Sequence, residues 1–114
     1  NTEDRDNVEL VKMDLYMETW EDYLPKDVDV VFIDAGHQYY QVKSDIENSL
    51  RLWKDVIFIF DDYGFPPGEV KKAIDEKLLS GDLKSIKFIG EKPEDLVSAV
   101  GTKFFDMEGC ICNE

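Results

Sequence analysis

Two short apolar runs constrain the fold of this chain more than any other feature, because each ends abruptly in acidic residues. The first run, Val30–Ile33, is followed by Asp34, and the second, residues 56–60, is followed by Asp61 and Asp62. Continuous runs of β-branched and aromatic residues are typical of parallel strands that are buried on both faces. The segment between them is long enough for a right-handed helical crossover. We therefore predict a β-α-β unit whose acidic strand ends lie side by side.

Helical periodicity fills the space between and after these strands. Apolar residues spaced three and four apart predict one helix over residues 39–53 and another over residues 69–79, which Gly81 ends. Shorter patterns predict strands at residues 8–13 and 85–89, a helix at residues 16–24 before Pro25, and a hairpin or bulged strand about Glu108-Gly109. The predicted order is β-α-β-α-β-α-β-β. Residues 1–114 are thus expected to form one α/β domain with a largely parallel sheet and an antiparallel ending.

The composition excludes some classes of partner. A formal net charge of −13 disfavours nucleic acid and anionic membranes, since both attract positive charge. No apolar run approaches the roughly 20 residues that span a bilayer, and the first residues do not resemble a signal peptide. Cys110 and Cys112 have no second cluster of Cys or His that would complete a metal site. They are expected to be half-buried thiols in a reducing compartment, which favours a cytoplasmic location. The charge, in turn, predicts no nucleic-acid or membrane partner.

The acidic strand ends carry the clearest chemical signal. Neighbouring strands lie about 5 Å apart, so Asp34 and the Asp61-Asp62 pair would repel one another unless one kept a proton or a cation lay among them. Hard oxygen ligands of this kind suit Mg²⁺ or Ca²⁺, although each Asp could instead cap a helix or accept loop N–H groups. His37, the only histidine, follows three residues after Asp34. It suits a general base, and the alternative is an ordinary surface imidazole.

The same residues resemble a known family. Residues 32–39, Phe-Ile-Asp-Ala-Gly-His-Gln-Tyr, are similar to a segment of small-molecule O-methyltransferases that use S-adenosylmethionine and have the class I, Rossmann-like fold. Residues 60–64, Phe-Asp-Asp-Tyr-Gly, resemble the acid-pair motif of macrocin-type sugar O-methyltransferases. The match continues through Gly68, Lys72-Ala73, Asp75-Glu76 and, near the end, Glu108-Gly109.

The resemblance implies a function and a set of site residues. In that family the corresponding acids hold a divalent cation, which here would be Mg²⁺, Mn²⁺ or Ca²⁺ on Asp34, Asp61 and Asp62. His37 would be the base that deprotonates a small-molecule hydroxyl acceptor. Asp14 would contact the adenine of S-adenosylmethionine, the methyl donor. The implied order of the family's sheet is 3-2-1-4-5-7-6.

The resemblance lacks the Gly-rich donor-binding turn with which the family's fold begins. None of the seven glycines precedes Gly36. The chain therefore resembles a truncated methyltransferase fold that consists of its C-terminal portion. We expect it to bind S-adenosylmethionine weakly and to be inactive alone. Strand 30–33 would present an open apolar edge, which residues 8–13 or another chain could cover, so a homo-oligomer is expected.

Two alternatives to a metal-assisted O-methyltransferase remain. The chain could be a degenerate methyltransferase-like domain that serves only for association, which the missing Gly-rich turn favours. It could also be a phosphoacceptor receiver-like domain, but there the acid pair follows the first strand, whereas here it follows the single acid.

Overall fold

The computed structural model describes residues 7–64, 68–91 and 107–114, which form one four-stranded sheet and two long helices. The elements are a 3-10 helix (Trp20–Asp22), β1 (Val30–Ile33), α1 (Tyr39–Leu52), β2 (Ile57–Phe60), α2 (Glu69–Ser80), β3 (Ile86–Glu91) and β4 (Met107–Cys112). The predicted limits of β1, α1, β2, α2 and β3 are confirmed to within two residues. The hydrophobic periodicity therefore located the central elements of the domain.

The sheet has the strand order β1-β2-β4-β3. β1 and β2 are parallel, whereas β4 lies between β2 and β3 and is antiparallel to both. The prediction of a largely parallel sheet was wrong, and the sheet is mixed, because the antiparallel strand lies inside the sheet and not at its edge. The observed order nevertheless equals the 4-5-7-6 order that the resemblance implies for the last four strands.

β4 fits between β2 and β3 because it has small residues where β2 approaches. Cys110 and Cys112 are free thiols and are fully buried, more so than predicted. A Cβ atom on Gly109 would lie 2.5 Å from the backbone oxygen of Phe60, so a side chain there would push the two strands apart. Of the two predicted alternatives about Glu108-Gly109, the hairpin was wrong, since both residues lie within strand β4. The predicted structure of residues 92–106 lies outside the described residues.

The two helices pack side by side on the core. Val42 and Ile46 of α1, with Val70 and Ile74 of α2, are among the buried apolar residues. Lys77 of α2 is 9% exposed, and its Nζ lies 2.8 Å from Oε2 of Glu47 on α1 and 3.4 Å from Oδ2 of Asp82. A nearly buried lysine is thus compensated by two carboxylates, one of which links the helices.

The residues before β1 differ most from the sequence-based expectation. The predicted strand over residues 8–13 was wrong: these residues form no regular structure and pair with none of the four described strands, although β1 is an edge strand. The predicted helix over residues 16–24 is reduced to a turn and the short 3-10 helix. The side chains that suggested it do not share a buried face, since Met17 is 83% exposed while Trp20 is buried against Trp53. In the described part of the chain, no helix combines the length and apolar character required to cross a membrane.

Candidate functional site

The candidate site lies where β1 and β2 end. Val30 is opposite Ile57 and Ile33 is opposite Phe60, so the residues that follow the two strands also come side by side. The backbone N–H of Asp61 donates to the Ile33 carbonyl at 3.3 Å, which extends the pairing past the strand ends. The expected juxtaposition of the two acidic strand ends is therefore confirmed.

His37 is brought to this edge by a contact with Asp62. Its Nε2 lies 2.7 Å from Asp62 Oδ2. An ionised carboxylate can only accept, so Nε2 is the donor in the tautomer that forms this hydrogen bond. Asp62 has a φ of +61°, a left-handed conformation that few residues other than glycine adopt. Strain of this kind costs on the order of 1–3 kcal/mol and persists where the surroundings impose it. The turn directs the second acid of the pair towards the histidine loop.

The three acids influence one another electrostatically. Loss of hydration at the strand end raises the pKa of Asp34, and the negative charges of Asp61 and Asp62 raise it further. His37 opposes this rise. A cation among these carboxylates would offset their mutual repulsion.

The geometry can accommodate one metal ion. One ligand atom each of Asp34, His37 and Asp62 lies within 4.8 Å of the others. Ligands of a Mg²⁺ or Ca²⁺ ion are about 2.0–2.6 Å from it, so two of them can be up to about 5 Å apart. Asp61 lies close enough for its negative charge to raise the pKa of Asp34 as well. The most compact trio contains His37 in place of Asp61, which differs from the ligand set that the resemblance implies.

Two local contacts hold the loops that carry these residues. The backbone N–H of Gln38, the residue before α1, donates a hydrogen bond to Gln41 Oε1 at 3.3 Å. A side chain at Gly36 would collide with Gln41. Tyr63, which follows the acid pair, donates its hydroxyl to Asp75 Oδ1 of α2 at 2.7 Å. Its ring is buried and lies 5.3 Å from that of Phe88. Tyr63 therefore anchors the end of the acid-pair turn. Only its contact with Asp75 in the folded chain reveals this role.

Asp14 forms hydrogen bonds within its own turn. Its Oδ1 accepts the backbone N–H groups of Tyr16 at 3.0 Å and Met17 at 3.2 Å, and its N–H donates to Glu18 Oε2 at 2.7 Å. The carboxylate thus closes the turn over residues 14–18. These contacts leave the contact with the donor adenine a prediction.

A groove of about 310 Å³ runs along the free side of β1, and its wall contains an acid that the sequence analysis missed. The side chain of Asp45, on α1, lines the groove beside Trp20 and Phe32 and is only 2% exposed. Its Oδ1 has no hydrogen-bond partner among the described residues. Burial raises the pKa of Asp45 to about 6, and the influence of Tyr16 opposes that rise. The sequence did contain one indication of this buried acid, because Asp45 precedes Ile46 on the buried side of the predicted helix.

The comparisons with known proteins bear on this arrangement. A family model described as a methyltransferase domain matches residues 1–63, which include Asp14, Asp34, His37, Asp61 and Asp62. Searches of curated proteins and of solved structures found no match. The matched span covers more than half of the 114 residues and ends just after the acid pair. With its paired acidic strand ends and its β1-β2-β4-β3 sheet, the chain belongs to this family of methyltransferase domains.

Proposed function

We propose that this chain carries the acceptor-activating residues of an S-adenosylmethionine-dependent O-methyltransferase that acts on a small-molecule hydroxyl with the help of a divalent cation. The observation that supports this most directly is the convergence of Asp34, His37 and Asp62 at the ends of two parallel strands. Ligands of open α/β sheets bind at such carboxyl ends. All three residues lie inside the span that matches the methyltransferase domain.

The three aspartates are the proposed cation ligands. Asp34, Asp61 and Asp62 offer hard oxygen atoms, which suit Mg²⁺ and also Mn²⁺ or Ca²⁺. When bound, the cation would supply Lewis acidity that lowers the pKa of the acceptor hydroxyl. The raised pKa of Asp34 supports this assignment, since crowded carboxylates gain most from a positive charge among them.

His37 is the proposed base. In the tautomer that donates from Nε2 to Asp62, the basic lone pair of the imidazole is on Nδ1. Nδ1 would take the acceptor's hydroxyl proton, and the ionised Asp62 would stabilise the imidazolium that results. When bound, S-adenosylmethionine would supply the methyl group to the acceptor oxygen, and the electron pair of the cleaved carbon–sulfur bond would stay on the donor's sulfur.

The donor site has less support than the acceptor site. The resemblance gives Asp14 an adenine contact, but one of its oxygens already holds the turn over residues 14–18. The sequence lacks a Gly-rich turn for the rest of the donor. We therefore propose that the 114 residues bind S-adenosylmethionine weakly, and that acceptor activation is the part of the reaction that they carry.

Metal-dependent stabilisation tests the cation site without requiring turnover. A ligand that binds only the folded chain stabilises it by about 2.7 kcal/mol at one hundred times its Kd. We expect millimolar Mg²⁺, Mn²⁺ or Ca²⁺ to raise the Tm, and Asp61→Asn to reduce that rise. Asp55→Asn, an exposed acid before the opposite end of β2, is the matched control and should leave the rise unchanged. No metal-dependent change in Tm, or an equal loss in both variants, would refute the proposed cation site.

A further inference from the structure

Three side chains on one face of α2 contact Tyr39, the first residue of α1. Glu69 Oε1 accepts the backbone N–H of Tyr39 at 3.3 Å, and the Tyr39 hydroxyl donates to Glu76 Oε2. The Lys72 Nζ atom lies 4.5 Å from the centre of the Tyr39 ring, within the range of a cation–π contact. Residues spaced three and four apart share one face of a helix. The stripe of Glu69, Lys72 and Glu76 therefore contacts Tyr39 from its backbone to its hydroxyl.

A neighbouring pair of residues on α2 contacts Tyr63 in a similar way. Asp75 Oδ1 accepts the Tyr63 hydroxyl at 2.7 Å, and Lys71 Nζ lies 5.7 Å from the centre of the Tyr63 ring. Lys71 also donates to Asp75 Oδ2 at 2.6 Å, so the acid is held by the helix that carries it. Each tyrosine thus contacts one lysine of α2 and the acid four residues after that lysine. The two lysine–acid pairs are one residue apart along the helix.

Both tyrosines lie next to residues of the candidate site along the chain. Tyr39 follows His37 by two residues, and Tyr63 follows Asp62 directly. The first N–H groups of a helix have no partner within it, so Glu69 also satisfies one of them at the start of α1. Packed helices open less readily than loops. A single helix therefore holds the chain just after each of the two side chains that form the contact between His37 and Asp62.

We propose that Glu69 and Glu76 are positioning residues, which act through Tyr39 to hold the histidine loop, residues 34–38. The inference rests on the proposed role of His37 as the base. A base acts only within hydrogen-bond reach of the proton that it takes. The His37 side chain is 51% exposed, so packing alone does not fix its ring. The hydrogen bonds from α2 to Tyr39 supply the constraint that burial does not.

Nuclear magnetic resonance relaxation of the histidine loop tests this role, because a rigid backbone amide has an order parameter of about 0.85 and a flexible one below about 0.6. The alanine pair combines Glu69→Ala with Glu76→Ala, and the glutamine pair combines Glu69→Gln with Glu76→Gln. Both remove the same two negative charges, but glutamine keeps an oxygen that can accept from Tyr39. Alanine has the highest helix propensity, so the alanine pair does not weaken the interior of α2 by propensity.

The backbone amide of His37 should have an order parameter of about 0.85 in the wild type and below about 0.6 in the alanine pair. The glutamine pair should keep the wild-type value, and the amide of Ile46, buried in α1, should be unchanged in both. A flexible wild-type loop, or no loss in the alanine pair, would refute the positioning role. An equal loss in the glutamine pair would show that charge holds the loop, and an equal loss at Ile46 would show a merely structural effect. Either result would also overturn the proposal.

A double-mutant cycle tests whether Glu76 acts through the Tyr39 hydroxyl. Tyr39→Phe removes that donor but keeps the ring, and Tyr40→Phe is the matched control at a 61% exposed position. Glu76→Ala should lower the order parameter of His37 in the wild type and in Tyr40→Phe, and should have no further effect in Tyr39→Phe. A further loss in the Tyr39→Phe background would show that Glu76 acts by another route, and would overturn the proposal.

These measurements need no metal, donor or acceptor, so their outcome is separate from that of the proposed methyl transfer. If the order parameters follow the expected pattern while Mg²⁺ leaves the Tm unchanged, the positioning role stands and the cation site is refuted. If Mg²⁺ raises the Tm while the pattern is absent, the cation site stands and the positioning role of Glu69 and Glu76 is refuted.

Discussion

His37 Nε2 and Asp62 Oδ2 lie 2.7 Å apart although 25 residues separate them along the chain. The contact joins the loop after β1 to the turn after β2. Asp62, which forms it, has a left-handed backbone conformation. The strained turn at Asp62 therefore helps to fix the position of His37, the proposed base.

Substituting Asp62 by glycine should separate strain from metal binding. Glycine adopts a φ of +61° freely, and the hydrogen bond to the exposed His37 that the substitution removes is worth about 1 kcal/mol. We expect Asp62→Gly to be at least as stable as Asp62→Ala in urea denaturation without metal. Both variants should lose most of the stabilisation by Mg²⁺. If either variant kept the full Mg²⁺ effect, Asp62 would not be a ligand.

Removing the Tyr63 hydroxyl should destabilise the fold by about 1–2 kcal/mol, because its hydrogen bond to Asp75 is formed by a buried side chain and a charged acceptor. Urea denaturation of Tyr63→Phe measures the loss. Tyr23→Phe is the control, since Tyr23 donates to Glu18 at the surface and its loss should cost little. A comparable loss in the two variants would mean that Tyr63 does not anchor the acid-pair turn.

Adding a methyl group at Gly109 should be costly. The new Cβ would lie 2.5 Å from the Phe60 backbone oxygen, and overpacking of this kind costs typically about 1–3 kcal/mol. Gly81→Ala tests the alternative cause, because Gly81 has a φ of +85° but no atom within 4 Å of the added Cβ. Gly81→Ala should cost about 1 kcal/mol from backbone strain alone. In thermal unfolding we expect the Gly109→Ala variant to be the less stable, and the reverse order would contradict the close approach of β4 to β2.

Asp45 should make the single chain more stable in mild acid. Its pKa is raised from 3.8 to about 6, so between these pH values the folded chain binds more protons than the unfolded chain. Stability should therefore fall as pH rises from about 4 to 7, by an amount on the order of 2–3 kcal/mol. The measurement compares urea denaturation of the wild type with that of Asp45→Asn across this pH range. An unchanged pH slope after Asp45→Asn would show that Asp45 is not the group responsible.

The sequence was informative where the local pattern determines the outcome. The alternation of apolar runs and helical stripes predicted β1, α1, β2 and α2, because each buries one continuous face on the core. The register of parallel strands then brought Asp34 close to Asp61 and Asp62. These features follow from residues that are near one another along the chain or are related by one crossover.

The features that were not predicted depend on distant partners. The position of β4 is decided by how closely Gly109 approaches the backbone of Phe60, which a search for local periodicity does not test. The unpaired state of residues 8–13 depends on whether a neighbouring strand is available, and their β-propensity does not determine that. The role of Asp45 depends on a groove assembled from four separate segments, so an acid within a helix gave little warning of it.

The insertion of β4 between β2 and β3 has a consequence for the order of folding. β1 and β2 can pair through one local crossover, but in the described sheet β3 pairs only with β4. β3 therefore has no partner until the segment that follows it has docked against β2. During synthesis on the ribosome, this half of the sheet cannot close before β4 has emerged. Until then the nascent chain exposes the edges of β2 and β3 with which β4 later pairs.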